Sequence, residues 1–134
     1  MTDKTMLAAG LTAVQTETVT KDKTAGVVGS GEVEVYATPA MITLMESVSH
    51  SCVKEFLEEG QSTVGSAIAV KHISATPLGM TVTAECTLVE IDNKRLVFEV
   101  KAFDAAGLIG EGSHERFIIN KERFIERANT KNEI

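Results

Sequence analysis

The chain has 134 residues and a mass of 14.4 kDa, which sets the expectation of one domain, residues 1–134, around one core. Area scaling gives roughly 6,800 Å² of folded surface against about 20,900 Å² for the extended chain, enough burial for a core without disulfide or metal staples. Nineteen acidic and thirteen basic side chains leave a charge of −6, and five Phe, one Tyr and no Trp are all the aromatics present; a polyanion is repelled and finds few rings to stack on, which argues against nucleic acid as a partner.

Residues 1–10 read as a loosely ordered lead-in. The apolar stretch at 6–11 is too short for a signal peptide and no run approaches eighteen apolar residues, so no membrane partner is expected. Cys52 and Cys86 each lie in an apolar periodic segment, without disulfide-framework or zinc spacing, which fits a reduced, cytoplasmic protein. Residues 11–19, rich in Thr and Val, form a first expected strand ending at Lys21-Asp22-Lys23. The glycine cluster at 26–31 has the wrong order for a dinucleotide fingerprint and leads into a short extended run at 32–37, so it reads as a turn or bulge.

A long amphipathic helix is expected next. Thr38 is an N-cap residue type, Pro39 fits the first helical position, and Gly60 after Glu58-Glu59 is a stop signal. Between them Met41, Leu44, Met45, Val48, Cys52 and Phe56 recur at intervals of three and four, an apolar stripe on a helix of about 21 residues, or roughly 31 Å. Four strand-like runs follow, at 64–75, 80–91, 96–103 and 108–119, separated by Pro77-Leu78-Gly79, Asp92-Asn93-Lys94 and Ala105-Ala106-Gly107. These connections are hairpin-length, which predicts an antiparallel sheet, and residues 121–128 suit a short C-terminal helical segment. The fold class is therefore α+β, a curved antiparallel sheet around one long central helix. One helix cannot cover such a sheet, and a second copy of the chain is the economical partner for the open face and edge.

Three side chains stand out chemically. Glu46 is an acid beside an apolar stripe, either working or lying on the polar border and paired with His50 one turn later. His72 falls on an apolar strand, on the pleat face of Ile68, Val70 and Ser74, where a hydrogen-bonded structural histidine is the common case. Thr38 is already explained by capping. Histidines at 50, 72 and 114 are too scattered for a metal site, and Cys52 lacks a suitably spaced base, which favours packing. Gly107, Gly110 and Gly112 suggest bulges or close backbone approach.

Four ordered stretches then match one pattern: residues 37–46 (Ala-Thr-Pro-Ala-Met-Ile-Thr-Leu-Met-Glu), 64–72 (Val-Gly-Ser-Ala-Ile-Ala-Val-Lys-His), 74–82 and Gly112-Ser113-His114-Glu115-Arg116. Together they resemble the fluoroacetyl-CoA thioesterase branch of the hotdog-fold thioesterases, over about residues 23–124. The resemblance implies a sheet wrapped round the helix like a bun, a homodimer paired edge to edge, and active sites near its interface. It places the catalytic Thr, Glu and His on Thr38, Glu46 and His72, and the substrate-binding glycine and arginine on Gly65 and Arg116. The implied reaction is hydrolysis of a short or small acyl-CoA, with no metal and no cofactor beyond the CoA of the substrate. The chain departs from the family upstream of Thr38, where Gly31-Glu32-Val33-Glu34 replaces an aromatic-bearing lid segment.

In chemical terms Glu46 is the base or the nucleophile, His72 assists the carbonyl or the leaving thiolate, and Thr38 orients. Backbone N–H groups at the helix start or near Gly65 are candidate oxyanion donors. Lys71, Lys94, Arg95, Arg123 and Arg127 are the cations available for the CoA phosphates. The alternatives are a non-catalytic acyl-CoA or small-ligand binding protein and an enoyl-CoA hydratase or dehydratase. Hydratases of this fold carry an Asp and a His five residues apart, whereas Glu46 and His50 are four apart.

Overall fold

The computed structural model describes residues 6–134; half of the expected lead-in, residues 1–5, lies outside them. Five strands, β1 (Thr12–Thr18), β2 (Gln61–His72), β3 (Thr81–Asp92), β4 (Arg95–Asp104) and β5 (Gly107–Asn120), form one antiparallel sheet in the order β1-β3-β4-β5-β2. Three helices accompany it: α1 (Ala25–Val28), α2 (Thr38–Lys54) and α3 (Lys121–Asn129).

Period-two alternation decides which way each strand faces. Val82, Ala84, Cys86 and Leu88 of β3 and Leu96, Phe98, Val100 and Ala102 of β4 are buried, while Glu85, Glu99 and Lys101 between them are exposed. The buried set closes on Met41, Leu44, Met45, Val48 and Cys52 of α2, and all belong to one core cluster. The sheet curves round that helix, which gives the α+β hotdog architecture expected from the sequence. Cys52 and Cys86 are free thiols inside this core, and Cys86 Sγ lies 3.6 Å from the Val48 carbonyl. Among the described residues no helix is long and apolar enough to cross a membrane.

Four local expectations change. The helix has 17 residues instead of about 21, ending at Lys54 with Glu55 as C-cap. Glu55, Glu58 and Glu59 would crowd the negative end of the helix dipole, and the chain turns there instead, with Gln61 N–H donating to the Glu58 carbonyl at 3.0 Å. The N-cap is Ala37, not Thr38, which becomes the first helical residue and makes no capping hydrogen bond. The glycine cluster contains a single helical turn, α1, because Ala25 is buried and its N–H is held by the Val35 carbonyl at 2.9 Å. The link through Pro77-Leu78-Gly79 is not a hairpin: β2 pairs with β5 at one edge, whereas β3 lies between β1 and β4.

Two glycines of β5 show close approach. A Cβ at Gly110 would stand 2.6 Å from Met41 Sδ, and one at Gly112 would collide with the Ala69 carbonyl oxygen of β2. Small residues here let the central helix and the edge strand settle onto β5.

Candidate active site

The inner face of β5 carries two polar residues where alternation calls for apolar ones. His114 and Arg116 are 2% and 7% exposed, and a buried guanidinium is costly unless its donors are used. Arg116 uses them on β2: Nε donates to Thr63 Oγ1 at 2.8 Å and Nη2 to the Thr63 carbonyl at 3.0 Å. Nη1 lies 3.1 Å from His114 Nε2. A guanidinium only donates, so His114 Nε2 is the acceptor and its proton sits on Nδ1, which donates to the Ala67 carbonyl at 2.8 Å. Burial is the main reason that the His114 imidazole lies below its ordinary pKa; the nearby Arg116 charge adds to it, against opposing contributions from Ala67 and Glu46. His114 is therefore a neutral strut that fixes Arg116.

Glu46 reaches this cluster from α2. Its Oε2 is 3.9 Å from Arg116 Nη1, and its side chain is 44% exposed, so the carboxylate is flanked by a cation yet open to solvent. Gly65 creates the room, since a Cβ there would stand 2.7 Å from Glu46 Oε2, 3.2 Å from His114 Cε1 and 3.4 Å from Arg116 Nη1. The bordering-helix reading of Glu46 paired with His50 is not what forms; the carboxylate turns to Arg116. His50 is held below its ordinary pKa by burial and by the Arg116 and Lys54 charges.

A second polar pair lies elsewhere. Thr38 Oγ1 and His72 Nδ1 are 2.7 Å apart, so the hydroxyl that could have capped the helix serves a histidine at the very end of β2 rather than mid-strand. Tyr36 packs edge-on to the imidazole with ring centroids 6.4 Å apart, and its hydroxyl donates to Glu17 Oε2 at 2.6 Å. His72 Nε2 is buried with no hydrogen-bond partner among the described residues, and burial lowers the pKa of the ring. A cavity of about 340 Å³ opens beside the pair, lined by Ala25, Val33, Val35, Tyr36, Thr38 and His72 among others.

Of the five residues expected at the site, Thr38 and His72 therefore meet in one place and Glu46, Gly65 and Arg116 in another. Eight residues of helix put about 12 Å between Thr38 and Glu46 along the axis, and no hydrogen bond or ion pair among the described residues joins Glu46 to Thr38 or His72. Sequence reasoning passed over His114 and Thr63 as parts of the site. The signals for His114 are its place in the matched stretch at 112–116 and two residues before Arg116 on the same pleat face; Thr63 carried none.

Residues 19–122 match the family model described as fluoroacetyl-CoA-specific thioesterase. The chain is 40% identical to a fluoroacetyl-CoA thioesterase of Streptantibioticus cattleyicolor over 98 residues, 73% of this chain and 70% of that one. Among solved structures it superposes with a point mutant of the fluoroacetyl-CoA-specific thioesterase at a TM-score of 0.90, with 33% identity over 96% of this chain and 99% of that chain. A second mutant of that enzyme, in complex with acetyl-CoA, gives a TM-score of 0.89 with 32% identity over 93% and 98%. The chain belongs to the fluoroacetyl-CoA-specific thioesterase family and, with it, to the thioester hydrolases of hotdog fold.

Proposed function

We propose that the protein hydrolyses a short or small acyl-CoA to the free acid and CoA, with Glu46, His72 and Thr38 as its catalytic residues and Gly65 and Arg116 shaping the acyl site. The observation that carries this reading is the Glu46 carboxylate, which is open to solvent beside a buried arginine and faces a strand position without a side chain. Such a group activates water, or attacks the acyl carbon itself to give a mixed anhydride that water then opens. In either course a C–O bond forms at the carbonyl, the C–S bond breaks, and the departing thiolate takes a proton. The acetyl-CoA complex of a relative favours a small acyl group.

The active species in this reading is a homodimer in which Thr38 and His72 of one protomer work with the partner's Glu46. The separation of the two polar clusters within one chain supports it.

The test is free-thiol release from an acyl-CoA panel. Glu46→Gln and His72→Ala should each lower kcat by about 10²- to 10⁴-fold. Thr38→Val and Glu46→Gln chains, each weakly active alone, should regain about a quarter of the parental sites when mixed and re-associated, because half of the dimers are mixed and each holds one intact site. Full activity in both single variants would overturn the residue assignment; absence of complementation would overturn the shared site. Saturable acyl-CoA binding with no thiol released would identify a binding protein instead.

A further inference from the structure

A chain of net charge −6 nevertheless gathers three cations in one groove. Lys94 from the β3–β4 turn and Arg123 and Arg127 from α3 line a depression of about 270 Å³, together with Ile118, Asn120 and Phe124. Arg123 and Arg127 are one helical turn apart and share a face. Among the described residues none of the three cations forms a salt bridge; the ion pairs involve Lys21, Lys23, Arg95 and Arg116. Arg95, adjacent to Lys94, is already bound to Glu115 and Glu90. Phe124 keeps 42% of its surface exposed although it lies in the groove, so an apolar ring is presented among unpaired positive charges.

The groove lies further along β5 from the Arg116 cluster. Ile118 donates its N–H to the Lys94 carbonyl at 2.9 Å and lies two residues beyond Arg116 on the same face of β5. From Arg116 to Asn120 the strand covers about 14 Å. A ligand that spans both places must carry an electrophile at one end, phosphates and a flat ring at the other, and a flexible arm between. Cations free of carboxylate partners are suited to phosphate oxygens, and an exposed aromatic ring offers a purine a stacking surface.

We propose that Lys94, Arg123 and Arg127 bind the phosphorylated adenosine end of coenzyme A, with Phe124 against the adenine. This inference rests on the thioesterase reading for the identity of the ligand. All three cations lie on a turn or on the exposed terminal helix, so their removal leaves the core intact.

The test compares the parent with Arg123→Ala/Arg127→Ala and Lys94→Ala on two substrates, an acyl-CoA and the same acyl group on pantetheine, which lacks the nucleotide. The double variant should raise KM for the acyl-CoA about tenfold or more with kcat within twofold, and leave the pantetheine thioester unaffected. Adenosine 3′,5′-bisphosphate alone should bind the parent in a salt-sensitive manner and bind the double variant at least tenfold more weakly. Equal losses on both substrates, or an unchanged KM for the acyl-CoA, would overturn the groove as the nucleotide site. Because the bisphosphate measurement needs no turnover, binding without hydrolysis refutes only the thioesterase reading, whereas hydrolysis without bisphosphate binding refutes only the groove.

Discussion

Gly65→Ala is the most discriminating change, because it moves the carboxylate without touching any ionisable group. The new methyl would stand 2.7 Å from Glu46 Oε2, against at least 3.4 Å for ordinary contact, so the carboxylate must retreat by about 0.7 Å. Its other neighbours tolerate the methyl, His114 Cε1 at 3.2 Å with a small shift and Arg116 Nη1 at 3.4 Å with none. Gly65 is not among the left-handed glycines, so alanine suits the local backbone and reduces the freedom of the unfolded chain, a gain of about 0.4–1 kcal/mol that offsets the crowding. Displacements near 1 Å in an active site cost up to about 10²-fold. The expected outcome is a 10- to 100-fold fall in kcat for acetyl-CoA hydrolysis, read by thiol release, with the urea midpoint within about 0.5 kcal/mol of the parent. A kcat within twofold of the parent would refute the idea that a bare strand position is needed to seat Glu46.

Thr38→Val should lower kcat by about tenfold or more while leaving thermal stability unchanged, since the hydroxyl contacts His72 and not the helix end; an N-cap role would instead cost about 1 kcal/mol. Arg116→Met should destabilise by about 2–4 kcal/mol in urea unfolding, because the Thr63 carbonyl, the Thr63 hydroxyl and His114 Nε2 lose their partner in a buried place. Acidification should erode stability. His50, His72 and His114 all have folded pKa values below the ordinary 6.5, so the unfolded chain binds more protons, and stability is full above about pH 6.5 and lost as pH falls toward the folded values; urea midpoints that are flat from pH 7.5 to 5.5 would contradict this. Burial raises both thiols, Cys86 to about 12, so an aromatic disulfide reagent should label neither cysteine faster than the protein unfolds.

Much of the fold could be read directly from the residues. The spacing of Met41, Leu44, Met45, Val48 and Cys52 marks the buried helix face because only one register of a 3.6-residue repeat places them together. The four later strands fall within three residues of their expected ends, since turn residues and alternation are both local signals. Strand order was not legible. Alternation tells which face a residue takes and nothing about its neighbour, so the transfer of β2 to the far edge beside β5 had no local trace. The same limit applies to the site. Residue types drew attention to Thr38, Glu46 and His72 and only the family resemblance gave them roles, while the strand partner of Arg116 lies about fifty positions back in the chain, at Thr63. The helical turn at Ala25–Val28 was hidden for the opposite reason: its sequence, Ala-Gly-Val-Val, has poor helix propensity, and contacts with Val35 and the core impose the turn.

The position of β2 governs when the site is made. Thr38, Glu46, Gly65 and His72 all precede residue 73 and are synthesised before β5, yet among the described residues β5 is the only ladder partner of β2. Closing that pair brings together His72 and Gly110, 38 positions apart, at one end and Gln61 and Asn120, 59 apart, at the other. Chain entropy favours the first contact by about 0.4 kcal/mol, so pairing zips from the His72 end toward Gly65. Both polar clusters therefore wait for β5, and a fragment ending before residue 107 holds four of the five expected site residues without the strand on which β2 is laid.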